Sequence, residues 1–163
     1  MQDNQDTAQF QHKVRVRVCG LLIENHRILL LKHEGIGKAG FLWSPPGGGV
    51  QFDESAKDAL IREFKEEVNL IIKVEKYLFT NEYMDDRHHA IELFFHVSSS
   101  SKKPTIGHDP ELSGAEQIIT DVRFFSQPDL NKISSENKHS IFDHANQISA
   151  LLELKGFYFF NNI

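Results

Sequence analysis

Six consecutive residues, Arg62-Glu63-Phe64-Lys65-Glu66-Glu67, bring three carboxylates into a stretch with the composition of a helix. On a wheel advancing about 100° per residue, Glu63, Glu66 and Glu67 share an arc of about a hundred degrees, and Leu60, Ile61, Phe64 and Val68 form a separate apolar stripe. Such a helix buries one face and presents the other as an anionic ridge. The arrangement is costly, because carboxylates late in a helix meet the negative end of its macrodipole. Two of them held about 4 Å apart also repel by roughly 4 kcal/mol at an effective dielectric near 20. A divalent cation turns that repulsion into attraction. Carboxylate oxygens are hard ligands suited to Mg²⁺ or Mn²⁺, and Mg²⁺ characteristically bridges protein carboxylates and substrate phosphates. Arg62, four residues before Glu66, can pair with it but cannot neutralise three acids. Ala56 and Ala59 fall on the acidic face, where they are expected to leave room for a ligand. Taken alone, the run also reads as a solvated face of an ordinary helix.

The elements that must position these acids follow from periodicity and punctuation. Ser55 and Asp58 stand in a capping-box arrangement, which predicts a helix from Ala56 to Val68, and Asn69 is suited to the left-handed stop. The alternation Val14-Arg15-Val16-Arg17-Val18 predicts a strand continuing to Ile23, paired through the polar Glu24 to Arg27 with Ile28 to Leu31. His33 to Gly40 reads as a mobile loop, and its Gly-Lys lacks the spacing of a phosphate-binding loop. Phe41 to Ser44 reads as a short strand, broken by Pro45-Pro46-Gly47-Gly48-Gly49. Leu70 to Thr80 and Ala90 to Val97 predict a strand pair joined by the polar Asn81 to His89. Ser98 to Lys103 reads as a loop, Val122 to Phe125 as a strand and Ile141 to Leu154 as a helix. The apolar Gly156 to Phe160 should pack on the body or on a second subunit.

Reading outward from the acidic run, Glu54 lies eight residues before Arg62, Gly48 six before Glu54, and Leu70 closes the segment. From Gly48 to Leu70 the chain resembles the Nudix box, G-x5-E-x7-R-E-U-x-E-E-x-G-U with U aliphatic. Phe64 takes the first U and Asn69 replaces the last glycine, while Gly48, Glu54, Arg62, Glu63, Glu66, Glu67 and Leu70 match without insertion. Trp43 to Gly49 also resembles the family's approach to the box. The resemblance implies an α/β fold, a three-layer α/β/α sandwich with a mixed β-sheet. It further implies metal-dependent hydrolysis of the diphosphate linkage in a nucleoside diphosphate derivative. Mg²⁺ or Mn²⁺ would be held by Glu63, Glu66 and Glu67, with the backbone carbonyl near Gly48 as a further ligand. Glu63, then Glu66, is the favoured general base, and Arg62 with Glu54 would organise the loop and helix. A later acid is an alternative base, with Glu116 preferred over Glu111 and Asp121. A Nudix-like domain that senses a nucleotide without turning it over is the competing class, disfavoured by the complete acidic set. ADP-ribose, oxidised nucleoside triphosphates, dinucleoside polyphosphates and nucleotide sugars all stay open as substrates.

The rest of the sequence sets bounds. At 163 residues, with 40% hydrophobic and 25% charged residues, the chain has the composition of a globular protein, with residues 1–12 as a disordered tail and 13–163 as one domain. A formal charge of −5 gives no basic footprint for nucleic acid. Cys19 is the only cysteine, expected to be a buried thiol, which suits a reducing cytoplasm. Neither a secretory signal nor a membrane span is expected. A homodimer is expected from the resemblance and the aromatic C-terminus. Arg15 and Arg17 share one face of the first strand, where they would hold phosphate or base or lie exposed. His88 and His89 read as a polar hairpin tip, His139 and His144 as structural or solvated, and Trp43 and Phe41 as core.

Overall fold

The computed structural model describes residues 13–37, 39–86, 88–100, 103–108 and 117–161. The alternating N-terminal segment forms β1 (Val14–Glu24), antiparallel to β2 (Arg27–Glu34) with Ile23 opposite Ile28. Asn25 and His26 between them both have positive φ, 50° and 61°, which is the requirement of a type I′ hairpin turn. β2 runs through His33 and Glu34, so the predicted loop begins later, at Gly35. After β3 (Phe41–Ser44) and β4 (Gly47–Gly49) comes the helix α1 (Ala56–Val68), with the predicted bounds. β5 (Ile72–Met84) and β6 (His89–Ser99) form a hairpin longer than expected. Its tip is closed by Asp85, whose Oδ1 accepts the His88 amide at 2.7 Å. β7 (Ile119–Phe125), the short helix α2 (Gln127–Asn131) and β8 (Gly156–Asn161) complete the regular elements.

The strands lie in the order β3-β2-β1-β6-β5-β8, with β4 beside β1 and β7 beside β2. β1 with β6 and β5 with β8 are parallel and the other pairs antiparallel, so the sheet is mixed. Period-two alternation along β1 and β2 sorts the core into two layers. Val18, Leu22, Leu29 and Leu31 face Leu60, Phe64 and Val68 of α1, while Cys19, Leu21, Ile28 and Leu30 pack with Phe79, Phe94, Ile141, Ile148 and Leu151 on the opposite face. The result is the α/β/α arrangement.

The second outer layer departs from expectation. Ile141 to Leu154 is not one helix but two 3₁₀ segments, Ser140–Asp143 and Ile148–Glu153. Tertiary bonds override helical propensity here. The His139 amide donates to the Trp43 carbonyl at 2.9 Å, the His144 ring meets Asn81, and the Ile148 amide donates to the Gln127 side chain at 2.8 Å. The aromatic end packs on the body as β8, with Tyr158 edge-on to Phe79 and stacked on His144, while Phe157 and Phe159 lie exposed. Among the described residues, no helix is long and apolar enough to cross a membrane. The N-terminal segment 1–12 lies outside the described residues.

Candidate active site

Local chemistry starts α1 where the capping pattern places it. The Ser55 hydroxyl oxygen accepts the Asp58 amide at 3.1 Å, and the hydroxyl donates to the Asp58 carboxylate at 2.6 Å. At the other end Asn69 adopts φ 55°, ψ 33°, the left-handed stop, and its side-chain amide donates to Thr105 Oγ1 at 3.1 Å. The amides of Thr105, Gly107 and His108 donate to the carbonyls of Val68, Glu67 and Glu66 at 3.1, 2.8 and 2.9 Å. The last turn of α1, which carries two of the three acids, therefore has its carbonyls satisfied by a neighbouring loop. This relieves part of the dipole penalty that the sequence raised.

Arg62 is the hub. Its Nε donates to Glu54 Oε1 at 2.8 Å and its Nη2 to Glu54 Oε2 at 2.9 Å and to the Gly49 carbonyl at 3.0 Å. Its Nη1 donates to Glu63 Oε1 at 2.8 Å and Glu66 Oε2 at 3.1 Å. The expected pairing with Glu66 is one of five bonds, three of which, to Glu54 and the Gly49 carbonyl, tie α1 to β4 and the loop after it. Donating to the Glu54 carboxylate pushes the pKa of the Arg62 guanidinium up and, reciprocally, Arg62 holds the Glu54 carboxyl below its usual range. Burial pushes Glu63 up against the opposing pull of Arg62. Glu67 is buried, and its Oε2 accepts the Gly47 amide at 2.9 Å. Gly48 lies directly against Glu63, where a Cβ would overlap the carboxylate.

Ala59 does not open space on the acidic face: it is fully buried between α1 and the sheet, and Ala56 packs against the same core. An open cleft of about 650 Å³ instead runs along the outer flank of α1, lined by Glu54, Asp58, Arg62, Glu66, Asn69 and His108. Among the described residues, no three His, Cys, Asp or Glu side chains converge in a metal-holding geometry. The three acids are held by the protein's own donors, Glu63 and Glu66 by Arg62 and Glu67 by Gly47. Their chemistry nonetheless fits a hard divalent ion, since every donor is oxygen and Gly48 leaves the space beside Glu63 that a side chain would fill.

A second polar group lies on the opposite face of the sheet, and sequence reasoning missed its centre. Glu92 and Asn81 are buried on adjacent strands, β6 and β5, in register with each other and with Arg17 of β1. Asn81 Nδ2 donates to Glu92 Oε2 at 2.9 Å, which leaves Asn81 Oδ1 to accept from His144 Nε2 at 3.3 Å. His139 Nδ1 accepts the Ile141 amide at 3.3 Å, so its Nε2 carries a proton and donates to Glu92 at 3.2 Å. Burial works to raise the Glu92 carboxyl, but His139, Arg17 and Asn81 outweigh it and hold it below the usual range. The available signal was a charged residue inside the apolar run Ala90 to Val97. His139 and His144 are thus structural partners in one row. Trp43 is core, edge-on to Phe125 at 4.7 Å. Cys19 is a buried thiol whose pKa burial pushes well up. Asp121, on β7, pairs with Arg123 at 3.0 Å, and Glu111 and Glu116 lie outside the described residues.

Comparison with known proteins agrees with this geometry. The family profile described as the NUDIX domain matches residues 11–144. An ADP-ribose pyrophosphatase from Methanocaldococcus jannaschii is 28% identical over 131 residues, covering 79% of this chain and 72% of the relative. A NUDIX hydrolase structure from Nitrosomonas europaea superposes with a TM-score of 0.67 at 18% identity, covering 81% of this chain and 85% of that one. An ADP-ribose pyrophosphatase structure from Streptococcus suis gives 0.58 at 16% identity, covering 88% and 98%. The fold is shared with both structures. Members of the family generally use a divalent metal. With a profile match across most of its length and the box acids gathered around Arg62, the chain belongs to the NUDIX family as a hydrolase of phosphoanhydride bonds in nucleotide-derived diphosphates.

Proposed function

We propose that the protein hydrolyses the diphosphate linkage of a nucleoside diphosphate derivative, using Mg²⁺ or Mn²⁺ held by Glu63, Glu66, Glu67 and the Gly48 carbonyl. The observation that carries this reading is the five-bond Arg62 hub, which fixes two box acids against the glycine loop. The chemistry such an ion supplies when bound is neutralisation of the diphosphate and acidification of water. The rest falls to the chain. Glu63, desolvated against Gly48, accepts a proton from the attacking water, with Glu66 as the next candidate. The water oxygen forms a new P–O bond as the anhydride P–O bond opposite it breaks, and the released phosphate takes the electron pair. Arg62 acts as a positioning residue through Glu63 and Glu66, and Glu54 orients Arg62 in turn. The functional unit is residues 13–163, working in a reducing cytoplasm as a homodimer. The single buried thiol and the exposed Phe157 and Phe159 support those two assignments.

The test is a panel of ADP-ribose, a nucleotide sugar, a dinucleoside polyphosphate and an oxidised nucleoside triphosphate, each with and without Mg²⁺. ADP-ribose is the first choice because a relative carries that name. The expected result is metal-dependent release of phosphorylated products from at least one compound. Metal-independent binding without turnover would replace the hydrolase with the nucleotide sensor.

A further inference from the structure

The substrate of such a site is an anion, and the box arginine has nothing left to offer it. All five N–H groups of Arg62 have protein acceptors in Glu54, Glu63, Glu66 and the Gly49 carbonyl. Two arginines of β1 lie beside β4: Arg15, whose Nη2 would sit 3.0 Å from a Cβ added to Gly49, and Arg17. Arg17 stands in register with Gly49 of β4 on one side and Glu92 of β6 on the other. Its Nε is buried and has no hydrogen-bond partner among the described residues. Glu92 is 3.9 Å from that Nε, within ion-pair reach but beyond hydrogen-bonding distance. The Glu92 carboxylate cannot swing closer without leaving Asn81 and His139, which hold it at 2.9 and 3.2 Å. Burial opposes the charge on Arg17, but Cys19, Glu92, Glu67 and Glu63 outweigh it, so the guanidinium lies in the field of both Glu92 and the box acids. Nearby, His33 is buried with Nδ1 also lacking a partner, and burial, then Arg17 and His139, lower its pKa to about 4, so it is neutral. Buried donors without acceptors are rare in folded proteins and call for an occupant.

We infer that Arg17 binds a phosphate oxygen of the substrate's diphosphate, and that Glu92, fixed by Asn81 and His139, is a positioning residue that holds the guanidinium beside β4. This rests on the hydrolase reading for the identity of the ligand. An arginine fork matches two phosphate oxygens as a lysine does not, and an anionic oxygen would satisfy the buried Nε–H. The rival account, in which Arg17 serves only to neutralise Glu92, predicts a different pattern of variants.

The experiment compares wild type with Arg17→Met, Arg17→Lys, Glu92→Gln and the Arg17→Met/Glu92→Gln double variant. The readouts are kcat and KM for ADP-ribose or whichever panel compound is turned over, and calorimetric binding of α,β-methylene-ADP in Mg²⁺. Near-ultraviolet circular dichroism establishes that each variant is folded, and Arg17→Lys carries the test if Arg17→Met is not. Expected for Arg17→Met is binding weakened by about tenfold or more, which is about 1.4 kcal/mol, with KM rising further than kcat falls. Arg17→Lys should recover part of the loss. Glu92→Gln should weaken binding less, and add nothing once Arg17 is gone. Arg17 variants that bind within about twofold of wild type, or a Glu92→Gln effect of equal size with and without Arg17, would overturn the inference. Intact turnover with unaffected binding sinks the role of Arg17 alone. Analogue binding by wild type without hydrolysis of any panel compound sinks the hydrolase reading alone.

Discussion

Placing a methyl group on Gly48 or on Gly47 is the same chemical change one residue apart, and the structure separates the consequences. At Gly48 the new carbon would overlap the Glu63 carboxylate, the movable end of a side chain. Glu63 must leave its place and its 2.8 Å bond from Arg62, but it moves toward water, so the stability change should stay within about 1 kcal/mol, or about 2–4 °C for a chain of this size. On the mechanism proposed above the rate should suffer far more, since displacing a catalytic group by about 1 Å can cost a hundredfold. At Gly47, φ is 151° and the new carbon would overlap the Val18 carbonyl oxygen, which is backbone and cannot step aside. The β1–β4 pairing must open, at about 1–3 kcal/mol for overpacking. Losing the Gly47 amide's bond to the Glu67 carboxylate adds about 1.5–3 kcal/mol. Together these predict a melting temperature lower by roughly 5–24 °C. Calorimetric melting beside a metal-dependent phosphate-release assay reads both quantities. A Gly48→Ala protein that turns over at the wild-type rate, or that melts as early as Gly47→Ala, would refute the reasoning.

Other expectations follow from the same geometry. Glu54→Ala removes two of the five acceptors of Arg62 and should destabilise by about 1–3 kcal/mol in urea melts, with a loss of turnover that Glu54→Gln partly restores. Glu66→Gln and Glu67→Gln should each lower kcat by orders of magnitude while leaving thermal midpoints nearly unchanged, because a glutamine keeps the acceptor oxygen; unchanged rates in both would remove these acids from the chemistry. His33 has a folded pKa of about 4 against an ordinary 6.5, so between those values the unfolded chain binds a proton that the folded chain refuses. Its contribution is complete above pH 6.5 and is lost as pH falls toward 4, about 3 kcal/mol in all. His33→Gln should flatten that portion of the stability profile, and superimposable profiles would disprove the assignment.

Much of the helix and its acids was legible in the chain because their determinants are local. Ser55 and Asp58 are three residues apart, Asn69 ends the helix by its own backbone preference, and the spacing of Gly49, Glu54, Glu63 and Glu66 around Arg62 records contacts that the arginine makes in space. The strands of β1 and β2 were legible for the same reason, since alternation is a property of neighbours. What escaped was decided at long range. His144 falls inside the run that reads as a helix and His139 just before it, until Asn81 and Glu92, distant in sequence, claim their rings. Ala59 looked like space beside the acids, but the approach of α1 to the sheet makes it core. A parallel strand such as β8 has no turn to announce it, so the chain end could be predicted to pack but not to pair with β5.

The loop that caps α1 does so with peptide groups, at Thr105, Gly107 and His108. Main-chain donors are indifferent to the side chains they carry, so most of this stretch can drift in sequence while the helix end keeps its seal. The exceptions are Thr105, whose Oγ1 accepts the Asn69 side-chain amide, and above all Gly107, because any β-carbon there would overlap the Glu66 carbonyl oxygen. Mutational tolerance along the stretch should therefore drop most sharply at that glycine, a residue outside the box on which the seating of two box acids depends.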